Sequence, residues 1–177
     1  MDWALFGIIL RNIAIALAIF YLVILIVDVS FTLSFRSIMK GHDHDLFVIQ
    51  TNKKDMVEKL LSLLKKHNIK CDKKQVDSLT TFDVKNFEHQ NGEAAKKARE
   101  ELTSLCEYFL AVCRDNEKVS QDQAFIDLEN NLNENERVFR YHVTMYNADV
   151  LGYNFWIKFL PTRYIYLLLR VKEKDII

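Results

Sequence analysis

The sequence predicts an all-α protein: an N-terminal transmembrane helix, then an antiparallel helical bundle with one very long, coiled-coil-like C-terminal helix. Three observations carry this. Only four Gly and one Pro occur in 177 residues, too few turn formers for a sandwich, a barrel or a run of hairpins. Residues 3–27 are apolar apart from Arg11 and Asn12. From Phe125 to Leu160, apolar and aromatic residues recur at steps of three and four, the spacing of a sustained helical seam. The charge is balanced, 24 Lys+Arg against 24 Asp+Glu, which excludes a generally basic nucleic-acid binder.

The first segment reads WALFGIILRNIAIALAIFYLVILIV. About 20 such residues cross a bilayer as a helix, and the expected span lies within residues 5–30. Its anchor positions are Arg11, Ile13, Phe20, Tyr21 and Val27. Two placements fit. A span from Trp3 to Val27 leaves Arg11 to reach the headgroups along its own stem. A span from Arg11 to Ser34 makes Asp28 the awkward charge. A cleaved signal peptide fits poorly, because no basic residue precedes the apolar run and no small-x-small site follows it. Arg36, Lys40, Lys53 and Lys54 lie beyond the run and only Arg11 lies near its start. That bias places the body on the cytoplasmic side of a single-pass membrane protein.

Four pieces follow: a transmembrane anchor over 1–30, a juxtamembrane connector or helix continuation over 31–52, a helical bundle over 53–163 and a tail over 164–177. In the second piece Val29, Phe31, Leu33 and Phe35 alternate as in a short strand, yet they also suit a helix leaving the membrane. Gly41 and the run His42-Asp43-His44-Asp45 are expected to interrupt it. From Lys53 to His67 the spacing predicts a helix that buries Val57, Leu60, Leu61 and Leu64, with Asn68 as its stop. A weaker helix lies within 72–89, capped by Asp72. Asn91-Gly92 marks a turn. A firmer helix spans 93–114, with Ala95, Ala98, Leu102, Leu105, Phe109 and Val112 inward. Ser120, with Gln123 three residues on, is expected to cap the last helix. That helix runs from Phe125 to Pro161 and would reach roughly 55–60 Å at 1.5 Å per residue. A body of this size does not need such length. Part of the helix should therefore pack on another chain or on the helical exit of the anchor. The tail holds the apolar stretch Tyr164–Val171.

Residues 125–161 read FIDLENNLNENERVFRYHVTMYNADVLGYNFWIKFLP. Their skeleton consists of Phe125, Leu128, Leu132, Glu136, Tyr146, Asn147, Val150, Tyr153, Asn154, Ile157 and Pro161. This resembles the C-terminal signature of the LemA family of bacterial membrane proteins. Lys53-Lys54-Asp55-Met56-Val57, with Leu60, is similar to the basic-Asp-Leu-Ile helix start of that family. The chain departs from the pattern at Val143, where the family has Arg, at Leu160, where it has an aromatic, and over Arg114–Ser120, where it has Tyr-Pro. The expected break at Gly41 is another departure, since the family continues its first helix from the span. The resemblance implies a non-enzymatic envelope protein, some relatives of which serve the formation of membrane organelles.

The residues themselves favour a structural role for the signature. Tyr146 and Tyr153 are seven apart and share one helix face, each with an Asn at its edge. Buried between helices, such groups must find partners, and repetition after one heptad fixes which neighbour fits and in what register. Residue types for catalysis are missing: no Ser-His-Asp, Walker, Rossmann or HExxH pattern occurs. No catalytic residue, cofactor or metal is therefore expected. His42-Asp43-His44-Asp45 reads as a solvated linker, because H-x-H chelates from a strand but diverges on a helix. Cys106 and Cys113 read as buried packing. Glu129, Glu134, Arg137 and Arg140 read as an ion-paired face, while a buried Glu136 would need a partner such as Arg140 or a tyrosine hydroxyl. The expected function is a membrane-anchored scaffold that self-associates in the bilayer. The alternative is an adaptor for a membrane protease or signalling protein. Its partners would be the lipid bilayer, further copies of the chain or a membrane protein, with no nucleic acid.

Overall fold

The computed structural model describes residues 3–88, 90, 92–159 and 162–177, with Ala4 and Leu5 described in backbone only. Asn91, Leu160 and Pro161, each part of an expectation above, lie outside the described residues. Six α-helices and one 3-10 turn, with no strand, make up the described residues. The helices are α1 (Trp3–Lys66), α2 (Lys73–Thr81), α3 (Glu93–Arg114), α4 (Glu117–Ser120), α5 (Gln123–Lys158) and α6 (Arg163–Leu168), with the 3-10 turn at Val84–Phe87.

Helix α1 is the main departure from expectation. It runs 64 residues without a break, through Gly41 and the His-Asp run, so of the readings given for 31–52 the helix continuation is the one that forms and the break at Gly41 is not. Gly costs a helix only about 1 kcal/mol, which the long helical segments on both sides of it outweigh. Gly41 is exposed, and a Cβ built on it meets nothing within 4 Å. Gly41→Ala is accordingly expected to raise stability by about 0.5–1 kcal/mol, read as a higher midpoint in thermal unfolding. A lower midpoint would mean that the glycine serves a bend.

The chain divides into two units. The first comprises Met1–Met39 and Ala148–Ile176. Its part of α1 begins with a helix long and apolar enough to cross a bilayer, whose side chains from Phe6 to Val23 are exposed. Further on, Asp28, Thr32 and Met39 are buried and Phe35 is half-buried, spaced four, three and four apart. This is the face on which the end of α5 lies. The Phe31 and Trp156 rings stack at 4.8 Å between centroids. Gly152 lets Phe35 come so close that a Cβ would stand 2.7 Å from its Cε1. The excess length of α5 thus packs on the helical exit of the apolar segment. Helix α6 adds Tyr166, whose hydroxyl lies 2.9 Å from Thr32 Oγ1. Asp28, fully buried, sits beside the same hydroxyl.

The second unit comprises Lys40–Asn147 and Ile177. Val57, Leu60, Leu61 and Leu64 of α1 join Ala95, Ala98, Leu102, Leu105, Cys106, Phe109 and Cys113 of α3 and Phe125 and Leu132 of α5 in one core. Val112 is only partly buried, and Cys113 takes the inner position instead. The helices pair antiparallel: Asp45, Ile49 and Lys53 of α1 meet His142, Asn135 and Glu136 of α5, and His67, just past α1, meets Asp122, just before α5. Asn68 ends α1 in the left-handed region, φ 56°, where Asn is tolerated best after Gly. The amides of Asn68 and Ile69 close back on Lys65 and Leu64. Asp72 caps α2 through Lys74 N–H. Ser120 does not cap α5. It closes the single turn α4, and Asp122 accepts from Ala124 N–H at 2.9 Å. That hydrogen bond, then the one to His67, holds the Asp122 carboxyl below its ordinary value.

Candidate functional site

Three polar constellations stand out, each built by helices packed as above. The first joins the two ends of the sequence resemblance. Lys53 of α1 is buried, and its Nζ donates to Thr103 Oγ1 at 3.2 Å and to Glu136 Oε2 at 3.3 Å. The partner that Glu136 finds is therefore chiefly Lys53, with Arg140 Nε at 3.8 Å from the other oxygen. Lys53 and Glu136 edge a shallow cleft of about 280 Å³ that also includes Thr103 and Cys106. An ammonium paired with a carboxylate satisfies both charges. The pair fixes where α1, α3 and α5 meet.

The second constellation is the repeated Tyr-Asn. Tyr146, Val150, Tyr153 and Ile157 are buried along one face of α5. Phe125 and Leu132 are buried at its start, with Leu128 partly buried. The asparagines do not face another helix. Asn154 grips the extended tail in a double hydrogen bond: its Nδ2 donates to Lys174 O at 2.8 Å, and Lys174 N–H donates to its Oδ1 at 3.0 Å. Tyr153 Oη reaches Lys172 O at 3.4 Å, and Lys158 pairs with Glu173 at 2.7 Å. Asn147 makes the same double contact with Ile177, at 3.1 and 2.9 Å. Each amide reads main chain only. Asn154→Ala removes two hydrogen bonds of about 1 kcal/mol each, and trypsin cleavage after Lys172 and Lys174 in the folded protein is expected to rise about tenfold or more. An unchanged cleavage rate would show that the asparagine does not hold the tail.

The third constellation is His42 and Asp45 of α1 with His142 of α5. One donor atom from each lies within 4.8 Å of the others. Sequence reasoning placed His142 in the α5 seam and treated His42 and Asp45 as linker, because nothing in the spacing ties positions so far apart. The signal that was available is a histidine in an otherwise apolar and aromatic stripe.

The cysteines behave as packing groups. Burial pushes the Cys106 thiol up, against the nearby Lys53. Burial, then Cys71 and Glu129, pushes Cys113 from 9.0 to about 12. Unfolding restores the ordinary value, so this burial contributes stability that is full below pH 9 and is lost as pH rises toward 12. With a thiol reagent at pH 8, Cys71, the most exposed of the three, is expected to react first. Cys106 and Cys113 are expected to react only on unfolding. Rapid reaction of all three in the folded protein would contradict their burial.

Together these features define an all-helical protein whose first helix begins with a bilayer-length apolar segment and whose last long helix carries a repeated Tyr-Asn clamp. The profile of the LemA family matches residues 45–177, and the chain belongs to that family. No curated protein and no solved structure matches it.

Proposed function

We propose that the protein is a non-enzymatic, single-pass membrane scaffold that self-associates through α5, with its body on the cytoplasmic side. The exposed face of α5 carries the reading. Tyr141 and Met145 in the second unit are 60 and 40 % exposed, and Leu151 and Phe155 in the first are 64 and 61 % exposed, each pair four residues apart on the helix. Pairs of this kind at helical spacing suit a matching helix of a second copy. The bare apolar run of α1 suits lipid, and the basic residues after it favour the cytoplasmic side. An adaptor that binds one membrane protein is the second reading. It is favoured by the exposed Tyr164, Leu167, Leu168 and Leu169 of α6 and its end.

Cross-linking in native membranes separates the two. Ladders at multiples of the chain mass support the scaffold. Heterologous bands alone favour the adaptor. Recovery of the full-length chain in the soluble fraction after cell breakage contradicts both.

A further inference from the structure

We propose that His42, Asp45 and His142 form a binding site for a divalent transition-metal ion of the zinc class. The unbroken course of α1 creates it. On a helix His42 and His44 diverge, but His42 and Asp45, three apart, share a face. Helix α5 then brings His142 against that face. His142 Nδ1 stands 3.6 Å from Asp45 Oδ2, and the two imidazole rings are 5.8 Å apart between centroids. His142 Nδ1 is buried and makes no hydrogen bond.

At 3.6 Å the two groups stand within ion-pair reach and beyond hydrogen-bond length. A nitrogen that hydrogen-bonds to a carboxylate sits at about 2.7–3.2 Å. Two donors on one tetrahedral zinc, each about 2.0–2.1 Å from the ion, sit about 3.4 Å from each other. The observed spacing falls beside the second figure. The third donor, within 4.8 Å of the others, reaches the spacing of about 3.4 Å by a side-chain adjustment of up to about 1.4 Å. Two imidazoles and one carboxylate suit zinc, cobalt or nickel better than magnesium or calcium, which prefer all-oxygen sets. Asp45 is half exposed and the His142 side chain 22 % exposed, so an ion can enter from the carboxylate side. Three protein donors leave a fourth position for water or for a group from another molecule. The ion would staple α1 to α5 within the second unit and add to the antiparallel pairing there.

The test uses the full-length protein in detergent, stripped with a chelator and titrated with zinc chloride by calorimetry, with elemental analysis of the dialysed product. The expected result is one zinc per chain. It should come with a thermal midpoint that rises on zinc addition. His142→Ala and Asp45→Ala should each weaken binding at least about tenfold and abolish the rise in midpoint. His44→Ala, an exposed position off the face, should leave both unchanged. Magnesium chloride should give no binding at equal concentration. The absence of stoichiometric zinc binding would overturn the proposal. Binding that survives equally in His142→Ala and Asp45→Ala would overturn it too, since the ion would then sit elsewhere. Helical content by circular dichroism confirms that each variant is folded before its titration is read.

Discussion

Replacing Tyr146 by Ala is expected to cost about 3–5 kcal/mol of stability, the scale of a deleted large aromatic in a packed interior. Tyr146 is fully buried and among the largest side chains so enclosed. It stands on the inner face of α5, four residues before the equally buried Val150. Tyr146→Phe separates the ring from the hydroxyl and should cost only about 1 kcal/mol. Chemical unfolding of the full-length protein in detergent, followed by circular dichroism, measures both. A loss below about 1 kcal/mol for Tyr146→Ala would mean that the ring contributes little to the interior and that the Tyr-Asn repeat serves something other than packing.

The second large effect is at the Lys53–Glu136 pair. Glu136→Ala leaves a buried ammonium with Thr103 as its one remaining hydrogen-bond acceptor among the described residues, and should cost about 1–3 kcal/mol. The side chain of Glu136 is 38 % exposed, so water relieves part of the loss. That exposure is why the figure stays below the range for a fully buried pair. Lys53→Met keeps the stem packing and removes the charge, with a smaller expected cost. The double variant, Lys53→Met with Glu136→Ala, should recover most of what Glu136→Ala loses. Additive losses in that cycle would show that the two groups do not depend on each other.

Much of this architecture was legible in the chain because periodicity reports burial directly. The stripe Ala95, Ala98, Leu102, Leu105 and Phe109 placed α3 at its observed bounds. Leu60, Leu61 and Leu64 placed the last turns of α1, and Asn68 placed its end. Errors arose where a local signal was outweighed. Gly41 reads as a break, yet a penalty of about 1 kcal/mol cannot interrupt a helix supported on both sides. Ser120 reads as a cap, but the residues before it fold into a turn of their own, started by Asn116, which accepts from Lys118 N–H. The cap of α5 is therefore Asp122.

The polar contacts were less legible, for two physical reasons. Asn147 and Asn154 grip main-chain groups, so the tail sequence KEKDII carries no complementary pattern that could have announced its place. Lys53–Glu136 and His42–Asp45–His142 join residues distant in sequence, and only the antiparallel course of α1 and α5 brings them together. In the sequence Glu136 needs a partner, for which Arg140 or a tyrosine hydroxyl offers itself. The one that dominates comes from α1.

The central claim is that α5 carries a self-association face on a membrane-anchored body. Light scattering coupled to size-exclusion chromatography, on full-length protein in mild detergent at micromolar concentration, tests it most directly. The predicted result is an oligomer of defined mass that falls to a monomer when Tyr141, Met145 and Leu151 are all replaced by Glu, with helical content unchanged. A wild-type protein that elutes as a clean monomer, or a triple variant whose mass does not change, would contradict it.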